Sequence, residues 1–319
     1  MSELLGTKVV SLGGGHGLAT TLKSLRQLTQ NITAIVTVAD NGGSSGRLRR
    51  EFPIFPPGDL RMALAALCGD DEWGRSWAEI MQYRFSGDGS MQGHAVGNIL
   101  LAALWDRDVD PVKGLDRVAS LLKVVGRVLP MAAVPLDIEG TFLTSIGRVV
   151  IRGQEQVATA HGTLDSLRIL PESPPARPEA LDAIARAQWI TMGPGSWFTS
   201  VLPHFLVPQQ RYALSQSTAK RIIVLNLDAD PAIQGSEFAG STPQEHLQIV
   251  GEYAPDMRWD YVIADTSVVR DMPLLQDQVA KMGGTLVVED VRMAPGSVHH
   301  DPRKLTSVFA HIMSNSLVG

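Results

Sequence analysis

Short apolar runs rich in β-branched residues alternate along the chain with stretches whose leucines recur every three or four positions. Residues 9–12 (Val-Val-Ser-Leu) run into Gly13-Gly14-Gly15-His16-Gly17, after which Leu18, Leu22, Leu25 and Leu28 follow at helical spacing. That pattern predicts a strand, a glycine turn and a helix. Residues 32–39 predict a second buried strand, and two strands joined by a helix make a βαβ unit in a parallel sheet with both faces covered. The theme returns at residues 188–192, 221–227, 261–265 and 285–288.

Between these blocks the texture varies. Gly58-Asp59 opens a helix with Asp59 as its N-cap, and another begins near His94 and carries Val96, Ile99, Leu100, Ala103 and Leu104. Residues 134–138 and 148–152 partly alternate, predicting a small β-rich insertion within 122–170. Pro171, Pro174, Pro175 and Pro178 then form a stiff connector, with Pro178 in the first turn of the next helix. The expected fold class is α/β, a three-layer protein with a mostly parallel sheet, as one body over 1–319 interrupted by that insertion.

Composition narrows the setting. The chain has 319 residues and one cysteine, which cannot form an internal disulfide. Cys68 falls on an apolar helix face and reads as buried and inert. The balance of 28 Lys+Arg against 33 Asp+Glu leaves a net charge of −5, without the basic footprint of a nucleic-acid binder. No apolar run reaches the roughly 18 residues of a membrane span, and no signal peptide is evident. A cytoplasmic protein without membrane insertion or nucleic-acid partner is expected.

The candidate chemistry sits at the ends of the predicted strands. A glycine turn leading into a helix leaves unpaired N–H groups at the positive end of the helix dipole, a site suited to phosphate. Gly17 is followed by Leu18-Ala19, which rejects a Walker A loop. Gly13-x-Gly15 followed by Leu18 completes only part of the dinucleotide fingerprint. Asp40 ends the second strand, where a ribose-binding acid would sit, so a nicotinamide-dependent oxidoreductase stays open. The loop that follows is foreign to that class. Asp40 can accept from a ribose or bind Mg²⁺, Asn41 adds a neutral oxygen, and Gly42, Gly43, Ser44 and Ser45 offer donors for a phosphate. Arg47, Arg49 and Arg50 follow, either as phosphate ligands or as a solvated helix face.

Five ordered motifs carry a resemblance. They are residues 13–17, residues 36–49 (Val-Thr-Val-Ala-Asp-Asn-Gly-Gly-Ser-Ser-Gly-Arg-Leu-Arg), residues 56–61 (Pro-Pro-Gly-Asp-Leu-Arg), residues 93–98 (Gly-His-Ala-Val-Gly-Asn) and residues 193–200 (Gly-Pro-Gly-Ser-Trp-Phe-Thr-Ser). Together they resemble the gluconeogenesis factors, the YvcK-like branch of the CofD superfamily, over nearly the whole chain. The resemblance implies an αβα Rossmann-like fold with a nucleotide site built from these loops. It also implies UDP-sugar binding, a role in cell shape and envelope synthesis under gluconeogenic growth, and no settled turnover. The enzyme relatives are 2-phospho-L-lactate transferases that use a guanosine diphosphate-linked donor and a divalent metal.

Carried onto this chain, the nucleotide and phosphate ligands are Gly13, Gly14, Gly15, His16, Gly17, Asp40, Asn41, Gly42, Gly43, Ser44, Ser45, Arg47, His94, Asn98, Gly193, Pro194, Gly195, Ser196, Thr199 and Ser200. Asp40 and Asp59 are the catalytic candidates if the protein is an enzyme, and Asp40 the metal candidate, for Mg²⁺. His94 and Asn98 are placed on one helix face, and Ser196, Thr199 and Ser200 supply hydroxyls at a second anion hole. His299 and His300 lack zinc-type spacing. Three departures stand out. The branch usually has Thr at His16 and a second Asp at Asn41, which weakens a metal site, and residues 226–232 differ from its pattern. The expected partners are a nucleotide sugar, cell-envelope regulatory proteins and further copies of the chain.

Overall fold

The computed structural model describes residues 4–108, 110–227 and 242–315. Ten strands form two sheets. The main sheet contains β1 (Val9–Gly13), β2 (Ile32–Val36), β3 (Arg127–Pro130), β7 (Trp189–Met192), β8 (Lys220–Val224), β9 (Tyr261–Asp265) and β10 (Thr285–Glu289). All its pairings are parallel, and the strands lie in the order β10, β9, β8, β7, β1, β2, β3. Every residue of β1 is buried, so both faces of the sheet centre are covered, as its continuous apolar runs require. The αβα, mostly parallel architecture expected from the patterning is what folds.

On one helical layer, α1 (Gly15–Leu25) packs against α3 (Pro57–Ala66) and the helix Pro302–Asn315. Around α3 lie α2 (Gly43–Glu51), α4 (Glu72–Gln82) and α5 (Val96–Arg107). Buried Leu18, Leu22 and Leu25 are the i, i+4, i+7 face of α1. Cys68 is buried, as expected.

The second sheet is antiparallel, in the order β5 (Gly147–Arg152), β4 (Asp137–Thr144), β6 (Thr163–Leu170), with the short helix Gln154–Ala158 between β5 and β6. This is the β-rich insertion, with a later start than its sequence texture indicates. β3, at the start of the 122–170 stretch, pairs with β2 in the main sheet.

Other boundaries move for local reasons. β2 stops at Val36, because beyond it the chain leaves the ladder. β10 is the sheet edge, and its residues are at most half-buried. Pro57 starts α3 two residues before Asp59, so Asp59 lies inside the first turn and is not the N-cap. His94 precedes α5, whose N-cap is Ala95, so His94 and Asn98 do not share a helix face.

Candidate functional site

The order of the main sheet reverses between β1 and β7. From β1 the chain proceeds outward through β2 and β3, and from β7 it proceeds the other way through β8, β9 and β10. The loops leaving the C-terminal ends of two such strands diverge and open a crevice, where open α/β sheets bind ligands. The two loops at this point are the glycine turns Gly13–Gly17 and 193–196.

The two loops converge on one cavity of about 340 Å³, lined by Gly14 to Gly17 and Thr20 on one side and Pro194 to Ser196, Thr199 and Ser200 on the other. α1 begins at Gly15 (φ +59°) with Gly14 as an N-cap that offers no side chain, so the N–H groups of His16 and Gly17 in its first turn are open to a ligand. On the other wall Ser196 accepts from Thr199 N–H at 3.2 Å and caps a π-helical turn, Trp197–Val201. Gly13 and Gly193 lie one step deeper. The Gly193 carbonyl accepts from Thr21 Oγ1 at 2.9 Å, and the Gly13 carbonyl accepts from buried His204 at 3.5 Å. Asn226 clamps the second loop from behind: Gly195 N–H donates to its Oδ1 at 2.9 Å and its Nδ2 donates to Gly195 O at 2.8 Å. Of the divergent stretch 226–232, Asn226 and Leu227 line the cavity and 228–232 lie outside the described residues.

A second cavity of about 210 Å³ is lined by Asp40, Gly42, Gly43, Ser44, Ser45, Asp59, Arg61 and Asn98 among others. Asp59 stands beneath the first loop: a Cβ at Gly14 would come within 2.5 Å of its Oδ2. Thr37 Oγ1 donates to Asp59 at 3.2 Å, and Gly15 N–H donates to it as well. Burial, followed by repulsion from Asp40, pushes the Asp59 carboxyl up to about 7. Asp40 Oδ1 accepts from Gly42 N–H at 2.9 Å.

Several residues of this lining are joined by hydrogen bonds to His94 and to one another. Ser44 Oγ meets His94 Nδ1 at 3.0 Å and accepts from Asn98 Nδ2 at 3.0 Å. Asn98 Oδ1 takes the Nε–H of Arg61 at 2.8 Å, and burial lowers that guanidinium to about 10. Ser45 Oγ accepts from Gly58 N–H at 3.0 Å. Arg47 donates to the carbonyls of Ser90 (3.3 Å) and Gln92 (2.7 Å), and Arg49 to the carbonyls of Asp40 and Leu136 and to Asp137.

Asn41 faces the insertion. Its Oδ1 accepts from Glu155 N–H at 3.0 Å and its Nδ2 donates to Gln156 Oε1 at 3.0 Å. The same short helix places Gln154 and Ala158 on the larger cavity, and Gln154 Nε2 donates to Thr199 Oγ1 at 3.4 Å. Phe142 stacks edge-on against Phe198, with centroids 6.2 Å apart. The insertion is thus a wall of the site.

Among the described residues no group of three or more His, Cys, Asp or Glu is arranged for a metal ion. Asp40 and Asp59, which both line the smaller cavity, would nevertheless offer two carboxylates to a Mg²⁺ ion, which commonly takes one or two and completes its shell with ligand phosphates and water. Asn41 would stand outside that shell.

Several participants lie within the quoted stretches without being singled out as site residues. Thr37, Arg61 and Asn226 are ordinary residue types whose roles come from packing. His299 and His300 are adjacent but act separately. His299 faces His16, with ring centroids 6.4 Å apart, whereas buried His300 meets Leu225 O through Nε2 at 3.1 Å.

Comparison with known proteins agrees with this fold. The sequence model described as 2-phospho-L-lactate transferase CofD matches residues 9–302. A "Putative gluconeogenesis factor" from Mycobacterium tuberculosis is 46% identical over 307 residues, covering 94% of this chain and 88% of that protein. A "Gluconeogenesis factor" from Halalkalibacterium halodurans is 37% identical over 245 residues, covering 77% of this chain and 73% of that protein. A crystal structure of a UPF0052 family member from Bacillus halodurans superposes with a TM-score of 0.83 at 29% identity, covering 96% of this chain and 99% of the other. With its motifs meeting at the switch point and its relatives matching nearly end to end, the chain belongs to the gluconeogenesis factor family within the CofD superfamily.

Proposed function

We propose that this protein is a regulatory binder of nucleotide sugars, with a UDP-sugar as its ligand. The observation that carries this reading is the meeting of two glycine-lined loops, each leading into a helical turn, on a single cavity whose described lining contains no lysine or arginine. Such a site holds a diphosphate through backbone N–H groups and hydroxyls. The diphosphate lies across Gly14–Gly17 and 194–196, and the nucleoside extends toward Asp40. The bound state is read by cell-envelope regulatory partners in the cytoplasm, through ordering of the loops or a change between copies of the chain. A thermal-shift screen with UDP-N-acetylglucosamine, guanosine diphosphate and NAD tests it. A ligand tenfold above its dissociation constant stabilises by about 1.4 kcal/mol, so stabilisation by the UDP-sugar supports the reading and none at millimolar concentration overturns it.

A second reading, a transferase of the 2-phospholactate type, is favoured by one observation: Asp40 and Asp59 both line the smaller cavity beside the phosphate loops. They would hold Mg²⁺, which would supply charge neutralisation to a transferred phosphoryl group, while α1 orients the donor. Turnover of a guanosine diphosphate-linked lactate, lost in Asp40→Asn, is its test.

A further inference from the structure

We propose that His16 and His299 form an imidazole pair that grips the diphosphate of the bound nucleotide sugar and takes up a proton as the ligand binds. The proposal rests on the nucleotide-sugar reading and adds to it the source of positive charge, which the backbone donors alone do not supply.

The two rings come from distant parts of the chain. His16 is in the first turn of α1, and His299 is in the loop before the helix Pro302–Asn315. Both line the larger cavity. Their centroids are 6.4 Å apart and their planes tilt by 46°. That gap is too wide for the rings to bond to each other, and it matches one oxygen accepting from both at about 2.8 Å each. Among the described residues neither ring makes a side-chain hydrogen bond, while the third imidazole of the lining, His300, is committed to Leu225 O. Two open imidazoles therefore face the place where the helix dipole and the Ser196 loop gather an anion.

The surroundings of His16 favour its neutral form in the free protein, and a bound diphosphate favours its charged form. Desolvation and then His299 lower the proton affinity of His16, and the cationic Arg61, Lys23 and Arg84 act in the same direction. His299 in turn faces His16 and lies beside His300. A diphosphate between the rings cancels that repulsion and stabilises the imidazolium form, so binding draws a proton from solvent. The ligand itself does not titrate in this range. A phosphomonoester takes its second proton near about pH 6, but each phosphorus of a UDP-sugar carries one ester and one anhydride link and holds one constant charge.

The test is calorimetric titration of the full chain with UDP-N-acetylglucosamine near about pH 6.5, in buffers of different ionisation enthalpy, repeated from about pH 7.5 down to about 5.5. Uptake approaching one proton per ligand is expected, with affinity tightening about a hundredfold across the two pH units if the uptake is complete. His16→Gln and His299→Gln should each remove most of the uptake and flatten the pH profile. His311→Gln, a histidine on the C-terminal helix outside the cavity, should leave both intact. Binding without proton uptake, or uptake that survives both cavity variants, overturns the imidazole pair and leaves the nucleotide-sugar reading standing. Absence of binding at every pH overturns both.

Discussion

Gly17 lies directly against the carbonyl of Pro194, so close that a Cβ at position 17 would overlap both the Pro194 carbonyl and the Gly195 Cα. The two phosphate loops are thus in backbone contact, and the absence of one methyl group brings them together. Gly17→Ala should separate them, costing about 1–3 kcal/mol of stability through overpacking against rigid backbone and lowering ligand affinity at least about tenfold. Gly251, in the helix Pro243–Tyr253, has open space around its Cβ position. There the same change should stabilise by about 0.5–1 kcal/mol. Chemical denaturation of both variants checks the contrast, and equal effects would contradict the role given to close packing at Gly17.

Asn41 binds the insertion with both ends of its amide. Asn41→Asp keeps the acceptor for Glu155 N–H but loses the donor to Gln156, and it adds a carboxylate close to Asp40 and Glu155. We expect a loss of about 1 kcal/mol, concentrated in the insertion. Amide hydrogen exchange should quicken over 153–158 while β1 and β2 stay protected. Unchanged exchange there would show that the amide is not a latch.

Asp59 supplies a pH dependence whose sign is fixed. Its folded-state pKa, about 7, lies above the unfolded value of 3.8. The folded state therefore binds more protons through that window, and stability falls as pH rises from about 4 to about 7. Asp59→Asn removes an ionised buried carboxylate. It should stabilise the unliganded protein at pH 8, on the order of 4 kcal/mol at most by the pKa conversion, and change little near pH 4.5. Melting curves at the two pH values test this. Destabilisation at pH 8 would mean that the bonds from Thr37 and Gly15 outweigh the repulsion from Asp40.

Asn98 accepts from the Arg61 guanidinium, which lies 3% exposed and also donates to Met81 O and Gln82 Oε1. Asn98→Leu leaves a buried cation short of an acceptor and Ser44 short of a donor, a loss of about 2–4 kcal/mol. Asn98→Asp, which keeps the acceptor, should be milder. Urea denaturation of the pair distinguishes the network from simple packing.

The apolar runs at β1, β2, β7, β8 and β9 and the glycine turns after β1 and β7 were legible from residue type and spacing alone, because buried parallel strands and anion-binding turns each leave a local signature. β3 was not: four residues between a helix and a β-rich insertion carry too little pattern to declare their sheet. The boundary at Asp59 failed because two prolines, Pro56 and Pro57, outweighed a good capping side chain. The pairing of His16 with His299, the grip of Asn41 on Gln156 and the clamp of Asn226 on Gly195 join positions far apart in the chain. They follow from the strand order, which local spacing does not encode.

The central claim is that the loops on either side of the β1–β7 switch point hold the diphosphate of a nucleotide sugar. Isothermal titration of the wild-type chain and Gly17→Ala with UDP-N-acetylglucosamine tests it most directly. We expect saturable binding of one ligand per chain in the wild type and at least about tenfold weaker binding in the variant, because prying the loops apart removes the preorganisation of the site. No binding heat from the wild type at millimolar ligand, or equal affinity in a folded Gly17→Ala protein, would contradict it.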